Sequence, residues 1–258
     1  MRTRREVILG GLLTLVVGEG FSCNCAAQSQ TRSRKNAGCW LADSDVTKFY
    51  PAQTDTALYI TGNEPMIPKS GDKNFDLALA KTLAKISTML EILPSFAYYD
   101  DYDGLNAYAT PKVRMANADG TVLFGQRLLK RLMASPESPE VGVAAVCAHE
   151  FGHILQYKRG LMSVVGAGQP TVKRTELQAD FFAGYFAGLR KLERPSFPAA
   201  VVAMTQYNFG DNMVSEPSHH GTPTERANSI VRGFEAAYKT KLKLADAITL
   251  SVSYVNAL

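Results

Sequence analysis

Three features that define whole classes of protein are scarce in this 258-residue chain. Its four cysteines are too few for a disulfide scaffold. Its formal charge of +4 is mild, and several basic residues fall near the N-terminus, so no basic stripe for nucleic acid is predicted. Apolar runs long enough to cross a bilayer are also missing. With 46% hydrophobic and 20% charged residues, the composition is that of one globular domain with a sizeable core.

The first 27 residues have the layout of an export signal. Residues 1–5 carry three arginines, residues 7–17 are mostly apolar, and small residues follow up to Ala27. This order is typical of a secretory signal peptide, and the Arg4-Arg5 pair also resembles a twin-arginine signal. We therefore expect a bacterial protein that is exported to the periplasm or secreted. An N-terminal anchor helix and a lipoprotein modified at Cys23 are the alternatives.

The rest of the chain divides into two parts. Residues 28–72 are rich in polar residues, glycine and proline, which predicts a linker followed by irregular N-terminal wrapping with at most one short strand near 57–61. Residues 73–258 carry regular patterns and form the predicted catalytic domain. Helical spacing of apolar residues predicts helices at 74–93, 126–134, 140–158, 172–192 and 222–241, and β-favouring runs predict strands at 96–99 and 121–124. The predicted fold class is α+β, mainly helical with a small β-sheet.

The pattern HExxH, formed by residues 149–153, lies within one of the predicted helices. His149 and His153 are four residues apart and therefore project from one face, where both imidazoles reach a single zinc ion. Glu150 lies beside the first histidine and reaches a water on that ion. An apolar stripe at Ala144, Ala148, Phe151 and Leu155 packs the helix on the core. Cys147 points to a different face and is expected to be a core thiol.

A catalytic zinc needs a third protein ligand, because HExxH also occurs in helices whose histidines are only structural. Glu176 and Asp180 are four residues apart on the next predicted helix, which can run back beside the first. We expect Glu176 to bind the metal and Asp180 to accept a hydrogen bond from a ligand histidine, which fixes its tautomer. The simpler alternative is a solvated face paired with Lys173 or Arg174.

These motifs resemble a known family. The chain is similar to gluzincin metallopeptidases of the HtpX type and the CAAX-prenyl-protease type over about residues 74–238. The similarity includes Asn106 to Pro111, the HExxH pattern, the segment from Glu176 to Asp180, and the segment from His220 to Arg226. The resemblance implies a zincin-like fold. It also implies that His220 stabilises the oxyanion and that Arg226 supports the site.

The chain departs from the family at two points. Gly221 stands where the family usually has proline after the late histidine, and the membrane helices of many members are missing. His219 adjoins His220 and is an alternative for its role, although only His220 lies six positions before Arg226. Thr222 and Glu225 also match a capping box at a helix start.

The expected activity is hydrolysis of peptide bonds by a zinc-bound water that Glu150 deprotonates. An extended peptide or protein substrate would pair with Val122–Phe124, expected to be an edge strand. No nucleic-acid partner and no transmembrane domain in the mature chain are expected. The alternative is a catalytically degenerate zinc-binding envelope protein that acts as a chaperone or binding partner.

Overall fold

The structure is a computed structural model that describes residues 62–102 and 104–258. The predicted signal peptide, the short strand predicted near 57–61 and most of the predicted linker lie outside these residues. Within them, the fold is α+β and mainly helical, as predicted.

The described residues form three strands and eight helices. The strands are β1 (Ser95–Tyr99), β2 (Ala107–Thr110) and β3 (Thr121–Gly125). The helices are α1 (Lys73–Leu90), α2 (Gln126–Met133), α3 (Pro139–Arg159), α4 (Met162–Val165), α5 (Lys173–Glu193), α6 (Ala199–Asn208), α7 (Pro223–Tyr238) and α8 (Leu244–Asn256). The five predicted helices are confirmed as α1, α2, α3, α5 and α7, whereas α4, α6, α8 and β2 were not predicted.

The sheet has the order β1, β3, β2. Strand β3 runs parallel to β1 and antiparallel to β2. The prediction that Val122–Phe124 form an edge strand is therefore wrong, because β1 pairs with one side of β3 and β2 with the other, which places β3 in the middle. The outer side of β1 is partly covered by Ile67, which forms an antiparallel bridge to Tyr98. Among the described residues, no strand pairs with the outer side of β2, whose four residues are buried.

Helices α3 and α5 form the centre of the molecule. Helix α3 is buried continuously from Gly142 to Gln156, and α5 from Thr175 to Gly188. The apolar stripe predicted on α3 is buried, but so are the polar side chains of its other faces. A helix that is enclosed on all sides belongs to the core, so its polar residues must find partners inside the protein.

The other elements enclose this pair. Helices α1 and α2 and strands β2 and β3 pack against α3, while α7 and α8 pack against α5 and α6 contacts α3, α5 and α7. The capping box predicted at the start of α7 is present: the Thr222 hydroxyl accepts from the Glu225 amide, and the Glu225 carboxylate accepts from the Thr222 amide. In the described part of the chain, none of the helices combines the length and apolar character needed to cross a membrane.

Candidate metal centre

Helices α3 and α5 bring three ligand-type side chains into contact. His149 and His153 lie one turn apart on α3, and their Nε2 atoms are 3.2 Å apart. Glu176 lies in the first turn of α5, with Oε2 at 3.3 Å from Nε2 of His149 and Oε1 at 3.5 Å from Nε2 of His153. The structure therefore brings the three residues expected to bind metal together.

The geometry suits a metal ion. A tetrahedral ion with bonds of about 2.0 to 2.1 Å keeps neighbouring ligand atoms roughly 3.3 Å apart, and the three distances above lie close to that value. Both carboxylate oxygens of Glu176 are buried and make no hydrogen bond with any described residue. Because a buried carboxylate is destabilising unless a positive charge balances it, a cation between Glu176 and the two rings would stabilise it. The buried group of His149, His153 and Glu176 can hold a metal ion.

Asp180 and Arg226 support the outer side of His149. Oδ1 of Asp180 lies 2.8 Å from Nδ1 of His149. Arg226 donates from Nε to Oδ2 of Asp180 at 2.8 Å and from Nη2 to Oδ1 at 3.0 Å. Since the carboxylate accepts at Nδ1, the metal-facing Nε2 atom of His149 is left with a lone pair when the ring is neutral. The role predicted for Asp180 fits these contacts.

Arg226 also fastens neighbouring elements to the site. Its Nη2 donates to Oε1 of Gln206 on α6 at 3.0 Å, and its Nη1 donates to the carbonyl oxygen of Phe209 at 3.3 Å. The guanidinium is 2% exposed in its side chain, so its charge is balanced mainly by the buried Asp180 carboxylate. Arg226 thus joins α5, α6 and α7 behind His149.

The simpler alternative for Glu176 and Asp180, a solvated face, is excluded by their burial. Both residues have no exposed surface. Lys173 instead pairs with Glu225 at 2.9 Å. Cys147 is a buried free thiol, as expected, and burial raises its pKa.

The charges of the cluster differ from residue to residue in the metal-free protein. Burial favours a lower pKa for His149, but the charge and hydrogen bond of Asp180, with a contribution from Glu176, outweigh it and raise this pKa to about 10. Burial lowers the pKa of His153. Burial would raise the pKa of Glu176, yet the charges of His153 and His220 and its histidine contacts hold it well below the ordinary value. At neutral pH a protonated His149 therefore faces an ionised Glu176, and a metal ion has to displace that proton.

The loop between α6 and α7 carries His219 and His220, and Asp211 holds both. Oδ1 of Asp211 lies 2.5 Å from Nδ1 of His219, and Oδ2 accepts from the backbone N–H of His220 at 2.9 Å. The N–H of Asp211 donates to the carbonyl of Gly221 at 3.0 Å. Burial would raise the pKa of Asp211, but its hydrogen bonds from His220 and His219 lower it.

Gly221 shapes the end of this loop. Its φ is +105°, a conformation that glycine adopts readily and that proline, with φ fixed near roughly −65°, cannot adopt. A proline could therefore not replace Gly221 without a change in the backbone path. The charge of His220 helps to lower the pKa of Glu176, so this loop carries His220 within electrostatic range of the candidate ligands.

Glu150 lies on a cleft with His149. The cleft is lined on one side by the start of β2, at Asn106 and Ala107, and on the other by Arg226. Glu150 is 2% exposed and therefore sits at the inner end of this opening. The pocket therefore lies against His149 and Glu150 of the candidate site.

Several residues of the site were not found from the sequence. Gln156, which contacts His153, lies one turn after it on α3, and helical spacing could have identified it. Asp211 carries no comparable signal, because its partners are eight and nine residues away in an irregular loop. Gln206 belongs to a helix that was not predicted.

Comparison with known proteins adds no relative to this picture. No protein-family model matches the chain, and neither the curated proteins nor the solved structures contain a significant match. The resemblance to gluzincins consequently rests on the motifs of the chain and on the contacts described above.

Proposed function

We propose that this protein is a zinc-dependent metallopeptidase of the gluzincin type. The observation that carries the proposal is the contact among His149 Nε2, His153 Nε2 and the Glu176 carboxylate, with Glu150 and His149 at the wall of a small pocket. Two imidazoles and one carboxylate are the protein ligands of many catalytic zinc sites, which keep a further position for water or substrate.

Zinc suits this ligand set. Imidazole nitrogen suits zinc, whereas calcium and magnesium prefer ligand sets made only of oxygen. Bound in this place, zinc supplies a Lewis acid that polarises the scissile carbonyl and makes water acidic near neutral pH. Asp180 and Gln156 support the proposal because each holds the outer nitrogen of one ligand histidine.

Two residues of the chain would move or stabilise charge during hydrolysis. Glu150 takes a proton from the attacking water and delivers it to the leaving nitrogen when the carbon–nitrogen bond breaks. His220 donates to the developing oxyanion, a contribution of about 3 kcal/mol in comparable sites. Asp211 holds the loop of His220 in place through the backbone N–H.

The outer side of β2, which pairs with no other described strand, favours a peptide substrate. The Gly125 amide donates to the Asn106 carbonyl, so Asn106 and Gly125 face each other across a hydrogen-bonded pair of β2 and β3. In an antiparallel ladder these pairs alternate, so the N–H and C=O of Ala107 point away from β3. Ala107 also lines the cleft with Glu150, so an extended peptide that adds to the edge of β2 would lie across the catalytic residues.

The test is zinc quantitation after exhaustive dialysis, combined with cleavage of a peptide library by the wild type and by Glu150→Gln. A peptidase keeps stoichiometric zinc in both proteins and loses turnover in the variant. A degenerate zinc-binding partner protein would keep its binding activity in the variant and cleave nothing in either form. A wild type without stoichiometric zinc would refute both readings.

A further inference from the structure

Two buried glutamines and a serine lie behind His153, on the side away from Glu176. Gln156 on α3 and Gln178 on α5 have no exposed surface, and neither does Ser251 on α8. Buried amide and hydroxyl groups are destabilising unless each finds a partner. Their hydrogen bonds form one continuous chain that ends at His153.

The orientation of the Gln156 amide follows from its partners. One end of the amide lies 2.8 Å from the backbone carbonyl oxygen of Thr175, which can only accept a hydrogen bond. That end must be the NH₂ group, so Oε1 is the atom that lies 2.8 Å from Nδ1 of His153. Because Oε1 can only accept, Nδ1 of His153 carries the proton and Nε2 is left with a lone pair toward His149 and Glu176.

The chain continues in the same direction through α5 to α8. Nε2 of Gln156 also donates to Oε1 of Gln178 at 2.9 Å, and Nε2 of Gln178 donates to Oγ of Ser251 at 3.0 Å. The Ser251 hydroxyl donates to the carbonyl oxygen of Ile248 at 2.7 Å. The carbonyls of Thr175 and Ile248 fix the two ends, so no amide in the chain can be turned around without losing hydrogen bonds.

We infer that Gln156, Gln178 and Ser251 form a directional relay that fixes the Nδ1–H tautomer of His153 and presents its Nε2 lone pair to the metal. The inference rests on the proposed metal site and adds positioning residues to it. The two ligand histidines are thereby held in different ways, since His149 faces the charged Asp180 and His153 faces a neutral amide. The relay also makes the position of α8 a determinant of metal affinity, although the hydrogen bonds from Ser251 reach His153 through two other side chains.

The first measurement is the tautomer of His153 in the metal-free protein, read from its ring ¹⁵N chemical shifts. The wild type should show the Nδ1–H form. Gln156→Leu, which removes the acceptor and keeps a similar volume, should shift the ring toward the Nε2–H form. An unchanged tautomer in this variant would overturn the inference.

The second measurement is zinc affinity by competition with a chelator. Gln156→Leu should weaken zinc binding roughly 10- to 100-fold, the usual effect of losing a residue that orients a ligand histidine. Ser251→Ala removes only the far hydroxyl and should weaken it less, by a factor of roughly 2 to 5 on the same scale. Thr249→Ala is the matched control, because it deletes an exposed hydroxyl from the same helix and should change neither affinity nor tautomer.

The double variant Gln156→Leu/Ser251→Ala separates a relay from ordinary packing. Once Gln156 is lost, Ser251 has no path to His153, so the double variant should bind zinc as Gln156→Leu does. Independent, additive losses would show that the residues only fill space and would overturn the inference. If Gln156→Leu does not fold, Ser251→Ala decides: equal zinc affinities for Ser251→Ala and Thr249→Ala reject the relay.

These readouts also distinguish the inference from the proposed function. A wild type that binds no zinc would end the proposed function, yet the tautomer in the metal-free protein would still test the relay. A wild type that binds zinc with a His153 tautomer insensitive to Gln156 would end the relay alone.

Discussion

A Cβ atom added to Gly152 would lie 3.0 Å from both the Cα atom and the carbonyl oxygen of Ala179. Gly152 lies next to His153 on α3, and Ala179 lies between Glu176 and Asp180 on α5. The missing side chain of Gly152 therefore lets the two helices approach closely at the height of the ligands. Such a contact is much tighter than ordinary van der Waals packing, so any larger residue has to move a helix.

Gly152→Ala should therefore weaken zinc binding at least tenfold. The added methyl separates α3 from α5 by a few tenths of an ångström, and ligand geometry tolerates little displacement. Alanine also favours the helical conformation over glycine by about 0.5 to 1 kcal/mol, which offsets part of the cost of the clash. The free energy of unfolding of the metal-free protein should therefore change by less than the free energy of zinc binding. Chelator competition and urea denaturation measure the two quantities.

Gly142→Ala is the matched control on the same helix. Its Cβ would meet the nearest atoms, in Thr205 and Leu132, at 3.6 and 3.8 Å, which is ordinary contact. This variant should keep wild-type zinc affinity and gain about 0.5 to 1 kcal/mol of stability. Equal zinc affinities in Gly142→Ala and Gly152→Ala would contradict the role given to the close approach.

Arg226→Met should destabilise the protein by about 3 kcal/mol or more. The substitution leaves the ionised Asp180 carboxylate buried without its strongest partner. Burial would raise the pKa of Asp180, and the charges of Arg226 and His149 lower it. Without Arg226, this pKa should therefore increase. Urea denaturation at pH 7 measures the loss. Lys239→Ala breaks an exposed pair with Glu235 and should change stability by less than about 1 kcal/mol.

The double variant Asp180→Asn/Arg226→Met tests this explanation. Removing the carboxylate charge as well should recover part of the stability lost in Arg226→Met, since no unpaired charge then remains. A double variant that is less stable by the sum of the two single effects would show that Arg226 acts through packing and its bonds to Phe209 and Gln206 instead.

The sequence predicted which side chains meet at the candidate metal centre, because helical periodicity determines which side chains share a face. His149, His153 and Glu176 follow from spacings of four residues within two helices. The order of the strands was predicted less well, because the sequence of Val122–Phe124 indicates a strand but does not show which strands lie beside it. Strand order depends on which side of β3 pairs with β2. The four residues of β2 are all buried, so they show no alternation of exposed and buried positions that would mark an edge strand.

The supporting residues of the site depended on elements that the sequence did not reveal. Ser251 lies on α8, whose threonine, serine and valine residues are weak helix formers, and tertiary packing decides such segments. Asp211 meets His219 across a loop without regular spacing. Residues that orient ligands through tertiary contacts can be located only once the packing of the helices is known.

The metal-free protein should lose stability as the pH rises from about 7 to 10. The pKa of His149 is about 10 in the folded state and 6.5 in an ordinary histidine. Between these values the folded protein holds a proton that the unfolded chain has lost, so the free energy of unfolding falls with increasing pH. The contribution of His149 to the free energy of unfolding is complete below about pH 6.5, where the histidine is protonated in both the folded and the unfolded state.

For the same reason, zinc binding at pH 8 should displace close to one proton from His149, in addition to any proton lost by a metal-bound water. Calorimetry in two buffers of different ionisation enthalpy gives the number of protons directly. Asp180→Asn is the control, because it removes the charge that raises the pKa of His149, and its proton release at pH 8 should be much smaller. Equal proton release in the two proteins would show that His149 does not hold the displaced proton.

His220→Ala should lower kcat on a cleaved peptide about 100-fold and leave zinc content unchanged. Loss of one oxyanion donor typically has this effect, and His220 is not one of the three ligands. His220→Gln keeps an N–H donor and should recover part of the rate. His219→Ala should reduce kcat less than His220→Ala does, because the charge of His220, rather than that of His219, is among the main influences on Glu176. If the His219 variant loses more activity than the His220 variant while both retain zinc, the oxyanion donor is His219, and the six-residue offset to Arg226 does not identify the catalytic histidine in this chain.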